Sequence, residues 1–174
     1  MNRNEFDIIR DYFSTPELSF EQEGLELGIG DDAALIQIPN ANSLSISTDV
    51  LVEGVHFPTN ANPSQIAKRA LSVNLSDLAA MAAKPSFFTL GLVLPSANED
   101  WLSEFSAGLG EIAQKYRITL IGGDLSKGPM AIAIQVHGLS PIGKALRRDG
   151  AKIEDELFVT GPLGEGAIGL LCVG

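Results

Sequence analysis

The chain has 174 residues, 45% hydrophobic and 20% charged, which suits one globular domain or one domain plus part of a second. A formal charge of −10, from 22 acids against 12 Lys and Arg, argues against binding nucleic acid by charge alone. No apolar run reaches the ~18 residues that span a membrane, no apolar signal core opens the chain, and the single Cys172 excludes a disulfide framework, so a cytoplasmic setting is expected.

Phe6, Ile9 and Phe13 recur at helical spacing, predicting a short helix over Glu5–Phe13 that ends at Ser14-Thr15-Pro16. Leu18 to Leu27 is acidic and poorly patterned and reads as loop. Gly28-Ile29-Gly30-Asp31-Asp32-Ala33-Ala34 follows, with two glycines and two adjacent acids. It is either an ordinary turn or a site where carboxylates meet a divalent cation. Leu35 to Ile38 alternates like a strand. Leu44–Asp49 reads as a buried strand, with Leu44, Ile46 and Thr48 on one face and Ser45, Ser47 and Asp49 on the other. Its polar end, Ser47-Thr48-Asp49, is the kind found at α/β ligand sites. His56 follows near Gly54, either as a satisfied loop histidine or as a ligand contact.

The longest predicted helix covers about Ser64–Ala83, with Ile66, Ala70, Val73, Asp77 and Ala80 on one stripe. Asp77 on that stripe either faces solvent through a gap or binds something positive. Asn74, three residues before it, suits a hydrogen bond to backbone. Phe87–Leu94 is a strand. Glu99–Tyr116 is a helix whose inner face is Trp101, Leu102, Phe105, Leu109 and Ile112. Ile118–Ile121 reads as a short strand running into a Gly122-Gly123-Asp124-Leu125-Ser126 turn. Met130–Leu139 alternates as an antiparallel strand. Lys144, Arg147 and Arg148 form the basic cluster, where an Arg fork would suit phosphate oxygens and a solvated loop is the plainer reading. A strand over Glu154–Gly161, a turn, and a helix from Ala167 complete the pattern.

No zinc-type Cys/His spacing, P-loop, kinase Gly-rich loop or Gly-x-Ser-x-Gly elbow is present. The acids at 31, 32, 49, 77 and 124 nevertheless share a pattern. Four of the five are expected at strand ends or in glycine turns, from which distant carboxylates reach one cleft and could hold Mg²⁺ on polyphosphate oxygens.

The Gly28–Ala34 stretch, Ser47-Thr48-Asp49, Gly54-Val55-His56-Phe57, Val73–Met81, Gly122-Gly123-Asp124, Arg147–Ala151 and Val159-Thr160-Gly161 occur in one order over nearly the whole chain. In that order they resemble the motifs of the thiamine-monophosphate kinase family, within the aminoimidazole ribonucleotide synthetase superfamily. The resemblance implies an α/β (α+β) fold, a mixed sheet with flanking helices. Residues 1–150 would form an N-terminal ATP/Mg-binding and dimerisation domain, and 151–174 would begin a C-terminal domain. It implies ATP-dependent phosphorylation of thiamine monophosphate to thiamine diphosphate by direct, Mg²⁺-assisted phosphoryl transfer in a homodimer, with no nucleic acid or membrane partner. By position, Asp32, Ser47, Thr48, Asp49, Asp77 and Asp124 would be metal ligands, with Asp32, Asp77 and Asp124 at the chemistry. Gly123, Asp124 and Arg148 would contact ATP, and His56 would contact thiamine monophosphate. Asp31 would be a supporting neighbour that orients its loop or binds through water.

This chain departs from the family pattern at several places. Ala82 stands where the family usually has Gly, Leu125-Ser126 follow Gly-Gly-Asp, and Ile153-Glu154-Asp155 replace a Pro-Gly-Asp. Asp149 stands where Ser is frequent, and there it could pair with Arg148 and weaken that residue's hold on ATP. The pattern stops at Gly174, so a piece of a longer protein, inactive alone, is expected. A sister ATP-dependent synthetase, a non-catalytic Mg-nucleotide-binding module and a plain structural domain are the competing readings.

Overall fold

The structure is a computed structural model that describes residues 4–173. Helix α1 (Glu5–Ile8) is capped by Asn4, whose side chain accepts from the Asp7 N–H, and it continues as a π-helical turn over Ile9–Phe13. Strands β1 (Leu25–Leu27) and β2 (Leu35–Ile36) form a small antiparallel ribbon. The main sheet contains β3 (Asn42–Val52), β4 (Lys84–Leu94), β5 (Thr119–Lys127) and β6 (Ala131–Pro141), in the order β3-β6-β4-β5. Strand β6 runs antiparallel to both β3 and β4, whereas β4 and β5 are parallel. The parallel pair requires a crossover, and α3 (Glu99–Tyr116) supplies it. Helix α2 (Pro63–Ala80) joins β3 to β4, and α4 (Glu165–Val173) closes the described chain.

Local chemistry sets the long helices. Asn62 caps α2 by accepting from the Gln65 N–H, with Pro63 in the first turn, where its missing N–H costs nothing. Asn98 caps α3 in the same way at Trp101. Leu102, Phe105, Leu109 and Ala113 of α3 are fully buried, as its periodicity predicts, and Trp101 stacks on Phe105 at 4.7 Å. The core lies between α2, α3 and one sheet face: Phe88, Leu90, Leu92 and Leu94 from β4 and Ile132, Ile134 and Val136 from β6 meet Leu71, Leu75 and Leu78. The mixed sheet with flanking helices is therefore as predicted.

Several local expectations are corrected. The loop over Leu18–Leu27 includes β1, because Leu25 and Leu27 find partners across the ribbon that no local pattern reveals. The Gly122–Ser126 turn lies inside β5: pairing with β4 supplies its hydrogen bonds, and this tertiary ladder overrides the low strand propensity of glycine. Asp124 is therefore within a strand, opposite Gly91, and Asp49 is within β3, so neither marks a strand end. Strand β3 is an edge strand and is not buried. Its apolar residues Leu44, Ile46 and Val50 are exposed, while Ser47 and Asp49 are half-buried.

The inner face of α2 is Ile66, Ala67, Ala70, Leu71, Asn74, Leu75 and Leu78, which rotates Asp77 to an exposed flank. The strand expected over Glu154–Gly161 does not form, since no strand pairs with it. Leu157, Phe158 and Val159 stand exposed there.

Candidate functional site

Two groups of acids emerge, one beside β4 and β5 and one where β3 meets α2. The first borders a cavity of about 640 Å³. One wall is apolar, from Phe6, Ile9 and Phe13 of the N-terminal helix. A second wall is the Ile29–Ala34 loop, and the floor is β4 and β5 from Thr89 to Leu92 and Leu120 to Leu125. The volume lies in the ordinary range for small-molecule sites.

Each wall is held by specific hydrogen bonds or backbone geometry. Thr119, fully buried at the start of β5, accepts from the Phe20 N–H at 2.9 Å. The Leu120 N–H donates to the Leu18 carbonyl at 2.7 Å, and these two bonds clip the N-terminal segment against the sheet. Gly30 adopts φ +128, which lets the loop turn before the acids. The Asp31 carboxylate then accepts from the Asp32 N–H at 2.8 Å, and both acids lie exposed beside the cavity.

In the floor, the β4–β5 register shifts between Phe88 and Thr89. Beyond that shift Gly123 lies against β4 so closely that a Cβ there would overlap the Leu90 carbonyl oxygen. Gly122, next to it, has nothing within 4 Å of a Cβ position and opens to the cavity. Asp124 lies exposed on the same wall and accepts from Ser126 Oγ at 2.7 Å.

The second cluster joins β3 to α2. Ser47 Oγ donates to Asp77 Oδ2 at 2.6 Å. Asn74, fully buried, accepts from the Asp49 N–H at 3.0 Å and donates through Nδ2 to the Ala70 carbonyl at 3.0 Å. Thr48 does not join this cluster by its side chain. Strand alternation turns it to the opposite face, where its Oγ1 accepts from Gln135 Nε2 at 3.1 Å. Gln135 Oε1 in turn meets His137 Nε2 at 3.1 Å. Burial pushes the His137 pKa below its ordinary value, with the Phe87 backbone pulling weakly the other way.

The remaining expected contacts lie apart from both clusters. His56 closes its own turn, with Nδ1 accepting from the Val52 N–H at 3.0 Å. The neutral ring thus carries its proton on Nε2, and the side chain is exposed. Arg148 is exposed, and it does not pair with Asp149, contrary to the sequence expectation. Asp149 takes Arg147 instead in a bidentate fork of 3.0 and 3.1 Å, which leaves Arg148 unpaired among the described residues. Among those residues, no three His, Cys, Asp or Glu side chains gather closely enough to hold a metal by themselves.

Thr119, Gln135 and the cavity-lining role of Phe6 carried no sequence signal. Each depends on a segment distant in the chain. The helical spacing of Phe6, Ile9 and Phe13 was visible, but the cavity it faces was not.

Residues 30–140 match the family described as AIR synthase related protein, N-terminal domain. The chain is 48% identical over 166 residues to the thiamine-monophosphate kinase of Escherichia coli strain K12, covering 95% of this chain and 50% of that one. It resembles the crystal structure of thiamine-monophosphate kinase from Stenotrophomonas maltophilia K279a, with 45% identity and a TM-score of 0.72 over 76% of this chain and 42% of that one. It also resembles AaThiL complexed with AMPPCP and TMP, with 33% identity and a TM-score of 0.73 over 83% of this chain and 47% of that one. The chain spans about half the length of the curated relatives it matches.

Proposed function

This chain belongs to the AIR synthase related family through that family's N-terminal domain, and we propose that it supplies the ATP- and Mg²⁺-binding half of a thiamine-monophosphate kinase. One observation carries the reading. The cavity between Asp32 and Gly122–Asp124 occurs in a chain 48% identical to such a kinase along nearly its whole length. The likeness to a protein complexed with AMPPCP, an ATP analogue, and TMP supports the same pair of substrates.

The donors suit a Mg²⁺ shared with phosphate. Asp32 and Asp124 at the cavity, and Asp49, Asp77 and Ser47 on the β3–α2 side, offer only oxygen atoms. Mg²⁺ favours oxygen ligands and keeps places for water and substrate phosphates. The Oγ1 of Thr48 faces the other side, so any contact Thr48 makes there would come from its backbone. Bound Mg²⁺ would neutralise the charge that builds between two phosphate groups.

The chain's own residues would do the positioning. The backbone of Gly122 and Gly123 would receive the nucleotide phosphates, because no side chain at Gly122 blocks their approach. Phe6 and Ile9 offer an apolar wall for the base. Arg148 would add a positive fork, and His56 would offer its Nε2–H to the acceptor substrate. The acceptor is the phosphate of thiamine monophosphate, so no protein nucleophile is required and catalysis rests on orientation and charge.

The exposed Leu44, Ile46 and Val50 on the open sheet face support a homodimer, and exposed Ile153, Leu157 and Phe158 support a second unit beginning near residue 151. We place the reaction in the cytoplasm, where ATP is supplied. Isothermal titration of the chain with Mg-ATP tests the reading, and binding lost in Asp124→Asn is expected. Saturable binding without dependence on Mg²⁺ or on Asp124 would overturn it. Sedimentation equilibrium tests the dimer, which Ile46→Glu should dissociate.

A further inference from the structure

We propose that Asn74 is a positioning residue: it sets the register of α2 against β3 so that Asp49 and Asp77 are presented as one pair of acids. This role rests on the reading above only in what those acids hold. Strand β3 is the sheet edge, with β6 on one side only. Asp49 lies opposite Ile134 of β6 in the ladder, and its N–H donates to Asn74 Oδ1 at 3.0 Å, which ties this position of the strand to α2.

The same side chain is tied at its other end, with Nδ2 donating to the Ala70 carbonyl one turn back along α2. Both functions of the amide are satisfied at full burial, so its orientation has no freedom. One turn onward and two strand residues back, Ser47 Oγ meets Asp77 Oδ2 at 2.6 Å. Helix and strand are thus joined at two successive levels, 49 to 74 and 47 to 77. Residues three apart on a helix and two apart on a strand each share a side, which places both levels along one seam.

No other small side chain does the same. Asp lacks the donor for Ala70 and adds a charge beside two acids. Leu fills the space but cannot accept from the Asp49 N–H. Ser is too short to span both partners. The Ser47–Asp77 bond alone would leave the strand free to pivot, because both of its partners are at the surface or half-buried.

Amide hydrogen exchange read by NMR on the unmodified chain is the first test. The Asp49 amide should be protected, and exchange at the rate of a solvent-exposed amide overturns the proposal. In Asn74→Leu, that amide should exchange about tenfold faster or more while the amides of β4 and β6 keep their protection. Mg-ATP affinity should fall by about tenfold in that variant, and adding Asp49→Asn should cost little more, since both changes act on one unit. Full additivity in this cycle overturns the proposal. If Asp49→Asn and Asp77→Asn weaken binding but Asn74→Leu does not, the role of Asn74 alone falls. If neither acid matters, the reading of the site falls and this role with it. Should Asn74→Leu fail to fold, Asn74→Ser gives the same three comparisons.

Discussion

Gly122 and Gly123 are neighbours on one strand, yet alanine at each should have opposite consequences. At Gly123 the added Cβ overlaps the Leu90 carbonyl and also approaches the Leu90 backbone nitrogen. These atoms belong to the β4 ladder and cannot rotate away, so β4 and β5 must part locally. Overpacking costs about 1–3 kcal/mol, and each ladder bond lost adds about 1 kcal/mol. Near 3 kcal/mol in total, at about 2–4 °C per kcal/mol for a chain of this size, Tm should fall by roughly 6–12 °C.

At Gly122 a Cβ meets nothing within 4 Å. Removing glycine's excess freedom in a strand offsets any small strain, so the stability change should stay within about 1 kcal/mol. The methyl group instead enters the cavity floor, where it would hold a phosphate away from the backbone. Affinity for Mg-ATP should fall about tenfold, the equivalent of roughly 1.4 kcal/mol. Thermal unfolding by circular dichroism and calorimetric titration on the two variants separate the effects. Equal losses of Tm in Gly122→Ala and Gly123→Ala would refute the placement of these residues. Unchanged Mg-ATP affinity in Gly122→Ala would refute the cavity as the nucleotide site.

Asp77→Asn, on the exposed flank of α2, should shift stability by less than about 1 kcal/mol while weakening Mg-ATP binding at least tenfold in titration, about 1.4 kcal/mol or more. Ala82→Gly should raise Tm by about 2–4 °C in a calorimetric scan. Ala82 holds φ 51 at the left-handed position of a helix C-terminal motif, whose bonds run from the Ala83 N–H to Leu78 and the Ala82 N–H to Ala79. His137 is held below its ordinary pKa of 6.5 by burial, so the unfolded chain binds the proton more readily. Its contribution is present above pH ~6.5 and is lost as pH falls toward the folded value. Replacing it in His137→Gln should flatten Tm against pH in that window, and an unchanged slope would exclude the buried imidazole as the cause. The 174-residue chain alone should bind Mg-ATP yet form no thiamine diphosphate in a coupled turnover assay, and normal turnover would contradict the half-site assignment.

The two long helices, β4 and β6 were legible from the sequence because each carries its own period. Leu102, Phe105 and Leu109 recur at helical spacing, and Ile132, Ile134 and Val136 alternate. The family motifs were legible because they consist of local residue identities in a fixed order. Only the family resemblance separated Asp31 from Asp32 in role; the residues alone left a turn and a cation site both open.

Other features depended on partners far along the chain. Alternation alone placed Thr48 opposite Ser47 and Asp49, but could not say which face α2 would cover. The apolar set Leu44, Ile46 and Val50 faces outward because Asn74 and Asp77 meet the polar set. The Gly-Gly-Asp stretch extends β5 because β4 lies beside it, whereas the Glu154–Gly161 stretch has no strand partner among the described residues. Sequence by itself determined which residues were available and the period on which they repeat. Only the tertiary structure decided which faces met, since strand pairing and burial join groups that are remote in sequence.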